Sequence, residues 1–138
     1  SASTGGGNPV SCAAALATID VLSERGSYPG LHENGARLRR SLGEGLAAQG
    51  ETAQVLGDGP LAQVAFSAQP VTDQQSWLAS DRARGRALML ALLRAGVFLN
   101  LMGTKLYLSL AHDAEATAEF ARHFADALVA TRNTRLGT

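Results

Sequence analysis

The chain has 138 residues, with twelve acidic side chains balancing twelve basic ones and no net formal charge, which argues against nucleic acid or an anionic membrane surface as its partner. That length suits one hydrophobic core, burying roughly two-thirds of the surface an unfolded chain exposes. No apolar run approaches the roughly 20 residues that span a bilayer, no signal-peptide pattern is present, and the lone Cys12 cannot close an internal disulfide, so the composition points to a cytoplasmic, reducing setting.

The most informative stretch comes first, Ser3-Thr4-Gly5-Gly6-Gly7-Asn8-Pro9. Consecutive glycines bend the backbone without Cβ clashes and admit close approach of a ligand. Asn8 is a favoured N-cap, and Pro9 occupies the first helical position, whose amide has no intrahelical partner anyway. Unpaired amides and the positive end of the helix dipole suit an anion, usually phosphate, with the Thr4 hydroxyl alongside. A plain turn capping a helix uses the same residues, and both readings stand on the sequence alone. Two common nucleotide motifs are rejected. A P-loop needs Gly-Lys-Ser/Thr where Asn8-Pro9-Val10 stands, and the dinucleotide fingerprint needs a strand before the first glycine, yet only four residues precede Gly5.

Periodicity then predicts a helix over residues 8–25, with Cys12, Leu16, Ile19 and Leu22 on an apolar stripe that buries the Cys12 thiol, and a stop at Gly26. A second helix is expected after Pro29, apolar at Leu31, Leu38, Leu42 and Leu46 and ending at Gly50. Strands over Ala53–Leu56 and Leu61–Ser67 flank the turn Gly57-Asp58-Gly59-Pro60. Residues 70–77 read as a loop. Ser80 or Asp81 caps a third long helix ending at Gly96, Val97–Asn100 and Leu106–Leu110 read as strands, and Asp113 caps a last helix with Phe120, Phe124 and Leu128 inward. The order α-α-β-β-α-β-β-α predicts an α+β fold, a small, mostly antiparallel sheet with helices on one face.

Few side chains in this layout suggest chemistry of their own. Lys105, the one lysine, sits at the start of a strand and reads as solvated. His112 belongs to a capped turn, His32 and His123 are surface residues without a second ligand at metal spacing, and no metal site is expected. Ser11 and Ser109 have no histidine in a recognisable nucleophile arrangement. The basic clusters 37–40 and 82–86 read as solvated helix faces, and Trp77 as a packing anchor or a lid.

Several segments together resemble one family. Ser3-Thr4-Gly5-Gly6-Gly7-Asn8-Pro9 resembles the Gly-Thr-x-Ser-Gly-Asn-Pro segment of class III, pyridoxal-phosphate-dependent aminotransferases, in particular their glutamate-1-semialdehyde aminomutase-like branch. Pro70-Val71-Thr72-Asp73 with Ser80-Asp81, Gly96-Val97-Phe98-Leu99, and Leu108-Ser109-Leu110-Ala111-His112 are similar to further family segments in the same order. The resemblance implies the C-terminal part of an aspartate-aminotransferase-type (fold type I, α/β) enzyme that works as a homodimer on a small-molecule amino donor and acceptor. It implies that residues 1–26 form the cofactor-phosphate loop and interdomain helix, and residues 27–138 the C-terminal small domain. Ser3, Thr4 and Gly5 are then the cofactor-binding residues, with Thr4 reaching the phosphate of pyridoxal 5'-phosphate (PLP) held by the neighbouring subunit.

The same resemblance places the lysine that links the cofactor upstream of Ser1. The 138-residue chain by itself is therefore expected to hold no catalytic residue and to be inactive. Where the aminomutase branch has a glutamate, Thr104 stands nearest, so amino transfer to or from an amino acid or amine fits better than strict aminomutase chemistry. The alternative is a free-standing α+β interaction or regulatory domain without catalysis.

Overall fold

A computed structural model of the chain describes residues 6–99 and 104–132. It has two compact units, residues 1–30 and residues 31–138. Among the described residues, no helix is long and apolar enough to cross a membrane.

The first unit carries α1 (Pro9–Ser23) and the first residues of α2 (Ser27–Ala48). Asn8 starts α1 as an N-cap, its Oδ1 accepting from the Val10 N–H at 2.9 Å, and Gly26, at φ +94°, separates the two helices. No residue of α1 is buried. The expected buried stripe with Cys12 is corrected: Cys12 is exposed, as are Val10 at 78% and Leu16 at 64%. The helix is apolar around its circumference, so no one side is selected for a core. α2 begins at Ser27, two residues before Pro29 rather than after it. Within the first turn the missing N–H of proline costs no helical bond.

In the second unit α2 buries Gly35, Leu38, Leu42 and Leu46, the i, i+3/i+4 spacing of one helical face. It stops at Gly50, φ +64°, where the Glu51 N–H closes onto the Leu46 carbonyl at 3.0 Å. Three short strands follow in the order β1 (Gln54–Leu56), β2 (Leu61–Ala65) and β3 (Lys105–Tyr107), all antiparallel. Ala62 pairs with Leu106 and Val55 with Val64, so Ala62, Val64 and Leu106 share a buried face while Lys105 and Tyr107 are exposed. The β1–β2 turn rests directly on α2. Arg39 Nη1 donates to the carbonyls of Gly59 at 2.7 Å and Leu61 at 2.9 Å, which corrects the reading of this arginine as solvated.

The loop expected over residues 70–77 contains α3 (Gln74–Leu78), held by a capping box in which Asp73 and Ser76 satisfy each other's backbone N–H groups. These bonds, the Ser76 backbone N–H first and its hydroxyl second, hold the Asp73 carboxyl below its usual value. α4 (Arg82–Arg94) is capped by Asp81, whose backbone N–H donates to the Phe66 carbonyl at 2.8 Å and ties the helix to the end of β2. Residues 97–99 form no strand. The Val97 N–H is drawn back to the Leu92 carbonyl at 2.9 Å to close α4 at Gly96, and Asn100 lies outside the described residues. α5 (Ala114–Ala130), capped by Asp113, buries Thr117, Phe124, Ala127 and Leu128. α4 packs on β2 and α5 packs on α4.

One polar node sits inside this apolar packing. Arg84 is fully buried, which corrects its assignment to a solvated face. Its Nη2 donates to Glu51 Oε1 at 2.6 Å and the Leu128 carbonyl at 3.2 Å, and Nη1 donates to the Thr131 hydroxyl. Its guanidinium carbon lies 5.1 Å from the Phe66 ring centroid, a cation–π distance. Arg84 Nε has no hydrogen-bond partner among the described residues.

Breaking this node from one side is expected to be costly. Glu51→Ala leaves a buried guanidinium without its carboxylate and should lower stability by about 3 kcal/mol or more, whereas the apolar pair Glu51→Leu with Arg84→Met should cost distinctly less. Urea unfolding of the two variants checks this order. On α2, a Cβ at Gly35 would stand 1.8 Å from the Gly59 carbonyl oxygen, while one at Gly43 meets nothing within 4 Å. Gly35→Ala should therefore cost about 2–3 kcal/mol and Gly43→Ala should add about 0.5–1 kcal/mol, measured as opposite shifts in Tm.

Candidate functional site

Ser3, Thr4 and Gly5, the residues assigned to phosphate binding, lie outside the described residues. The described remainder of the turn runs from Gly6 through the Asn8 cap into α1. Gly7 adopts φ +80°, a conformation that disfavours any side chain, although a Cβ there would touch nothing. The glycine is needed for the bend rather than for close packing. Of the first amides of α1, Pro9 has none, Val10 is taken by the Asn8 side chain, and Cys12 donates to the Asn8 carbonyl at 2.9 Å. The helix has thus spent most of its own donors on its cap. The helix end therefore has few free amides of its own to offer an anion.

The remaining sequence candidates separate by role. Lys105 opens β3 and is exposed. The His112 ring works inside a turn. Its Nδ1 accepts the Ser109 N–H at 2.9 Å and lies 3.0 Å from the Ser109 hydroxyl, while its backbone N–H donates to the Ser109 carbonyl at 3.1 Å. Ser109 therefore does have a histidine partner, a pairing at i, i+3 that sequence reading missed. With Nδ1 occupied by a backbone donor, it serves the turn. His32 is exposed beside Gly59, and His123 lies 3.9 Å from Glu119 on one face of α5. Among the described residues no three His, Cys, Asp or Glu side chains gather as a metal set.

Two of the family-like segments meet in space. Gly96-Val97-Phe98-Leu99 and residues Leu108 and His112 line one groove of about 560 Å³, with Tyr107 and Phe120 also in its wall. Phe98 is 90% exposed there and Tyr107 65%. Thr104, nearest the missing family glutamate, points the other way in chemical terms. It is buried, its hydroxyl donates to the Val64 carbonyl at 2.5 Å, and its methyl group packs against Gly85.

No protein-family model matches the chain. Glutamate-1-semialdehyde 2,1-aminomutase of Desulforudis audaxviator is 38% identical over 115 residues, 83% of this chain and 27% of that protein. An omega-transaminase from Sphaerobacter thermophilus superposes with a TM-score of 0.80 at 26% identity, over 96% of this chain and 30% of its own. A transaminase solved with PLP bound gives a TM-score of 0.76 at 25% identity, over 94% and 29%. The chain thus spans about three-tenths of the length of the proteins it matches. By sequence and by fold, the chain belongs to the class III pyridoxal-phosphate-dependent aminotransferases, in their glutamate-1-semialdehyde aminomutase-like branch, as a C-terminal portion.

Proposed function

We propose that the chain is the C-terminal segment of a PLP-dependent aminotransferase that moves an amino group between an amino acid or amine and a keto acid or aldehyde. The observation that carries this is the agreement of two independent likenesses, 38% identity to an aminomutase and superposition on an omega-transaminase over 96% of the chain. When bound, PLP supplies the electron sink for such a transfer. This chain's share is to hold the coenzyme's phosphate through Ser3, Thr4 and Gly5. Residues 1–26 form the phosphate loop and interdomain helix, and residues 27–138 the small domain.

The working unit in this reading is a homodimer in the cytoplasm, and two features support a unit larger than this chain. The first is α1, which exposes Val10, Leu16, Ile19 and Val21. A helix apolar on every side is stable in water only when other protein covers it, which also weighs against a free-standing interaction domain. The second is the turn itself, whose helix amides are largely spent on the Asn8 cap. It contributes a few donors to a phosphate and needs the rest of the pocket from elsewhere. Burial of Thr104 supports amino transfer over aminomutase chemistry, because no carboxylate stands at that position to meet a charged substrate.

The test uses the complete enzyme that contains this chain. Its spectrum should show a lysine-linked coenzyme band that borohydride fixes irreversibly to the protein. Thr4→Val should weaken coenzyme retention by about tenfold, the loss of one hydrogen bond to a charged acceptor. Absence of the chromophore removes the aminotransferase reading, and unchanged retention in Thr4→Val removes the assignment of that residue.

A further inference from the structure

We infer that the cavity at the head of α4 is a binding site for a small organic monocarboxylate with an apolar, aromatic-sized body. The cavity has a volume of about 460 Å³, within the range of small-molecule sites. Its apolar wall is made by Val64, Phe66 and Met89, all buried, and by Trp77 of α3.

The polar groups around it sort into two kinds. Ser80 Oγ donates to the Trp77 carbonyl at 2.6 Å, the Asp81 carboxylate accepts from the Arg84 N–H at 2.9 Å, and the Thr104 hydroxyl is engaged by Val64. These groups are occupied by the fold. Arg82 and Arg86 also line the cavity and are exposed; among the described residues their side chains have no hydrogen-bond or ion-pair partner. They stand four residues apart on α4, where like charges repel, and an anion between them removes that cost. Arg84, the intervening arginine, is turned to the interior and neutralised by Glu51, so it adds nothing to this balance. Two guanidiniums against the one Asp81 carboxylate leave a single positive charge, which one carboxylate neutralises. Guanidinium groups also present paired donors matched to a carboxylate's two oxygens, while the aromatic and thioether walls favour a flat apolar body. The cavity shares no residue with the opening turn, so the inference stands whether or not the coenzyme reading does.

Trp77 is the only tryptophan of the chain, and it reports on this cavity directly. The fluorescence of the complete enzyme that contains this chain, taken as the difference from its Trp77→Phe variant, is followed during titration with phenylacetate, with benzylamine and with inorganic phosphate. Phenylacetate should give a saturable change, and the double variant Arg82→Gln with Arg86→Gln should weaken it by about tenfold or more. Arg94→Gln, an exposed arginine further along the same helix, should leave it unchanged. Benzylamine and phosphate should not saturate, since one lacks the charge and the other the apolar body. Because both lining arginines are exposed, the variants should keep their far-UV circular dichroism. The inference is overturned by absence of saturation with phenylacetate, by an equal response to benzylamine or phosphate, or by an affinity that ignores the loss of Arg82 and Arg86.

Discussion

The buried guanidinium of Arg84 is the constraint around which the second unit is organised. It reaches the segment after α2 through Glu51, the last turn of α5 through Leu128 and Thr131, and the end of β2 through the Phe66 ring. A buried ion pair adds little net stability over an apolar substitute, because desolvation consumes most of the Coulombic gain. What it supplies is a unique arrangement. A guanidinium carries its donors in a fixed fork, and the observed packing of α4 against α5 gives Nη1 and Nη2 Glu51, Thr131 and Leu128 together. Apolar neighbours such as Leu88, Leu92 and Leu128, all fully buried, would tolerate small slides of one helix on the other. The arginine does not.

The two compact units differ sharply in how far they satisfy themselves. In the second, α2, α4 and α5 each bury a defined face, and the short sheet adds Ala62, Val64 and Leu106 to the same core. In the first, α1 buries nothing. Hydrophobic area left in water at Val10, Leu16 and Ile19 is a standing cost of folding. The segment whose sequence most resembles a coenzyme-binding element is therefore also the one whose stability depends on other protein.

Local chemistry was legible in the sequence, and tertiary chemistry was not. Asn8, Asp81 and Asp113 cap their helices as expected because capping depends on residues within three positions. Gly50 and Gly96 end helices at positive φ for the same reason, whereas α1 stops at Ser23, before the expected Gly26, which instead turns the chain into α2. Lys105 at a strand start and the turn role of His112 were also readable. Burial of Arg84 and half-burial of Arg39 were not, since a charged residue looks solvated until its distant partners, Glu51 in one case and the Gly59 carbonyl in the other, are known. α3 escaped because its capping box closes on Ser76 rather than on Glu or Gln. The strand expected at Val97 failed because the helix closure claims the Val97 amide before the sheet can. As for the site, glycine and cap chemistry suggested an anion turn whose residues Ser3, Thr4 and Gly5 lie outside the described ones, while the occupancy of the helix amides became visible only with the Asn8 bond in place.

Position 104 shows how packing limits which side chain a position can carry. The resemblance drawn from the sequence puts a glutamate close to this point, one substitution away from Thr104. Packing opposes that substitution. Thr104 is 5% exposed, its hydroxyl bridges to the Val64 carbonyl, and its methyl carbon would lie 3.0 Å from a Cβ at Gly85. A glutamate there would either bury an ionised carboxylate without a partner, which is costly, or be forced outward at the expense of the β2–β3 pairing beside it. Threonine at 104 is thus part of the core rather than a vacancy in a substrate pocket. The side chains of this region that do face outward include two aromatics, Phe98 and Tyr107 in the groove.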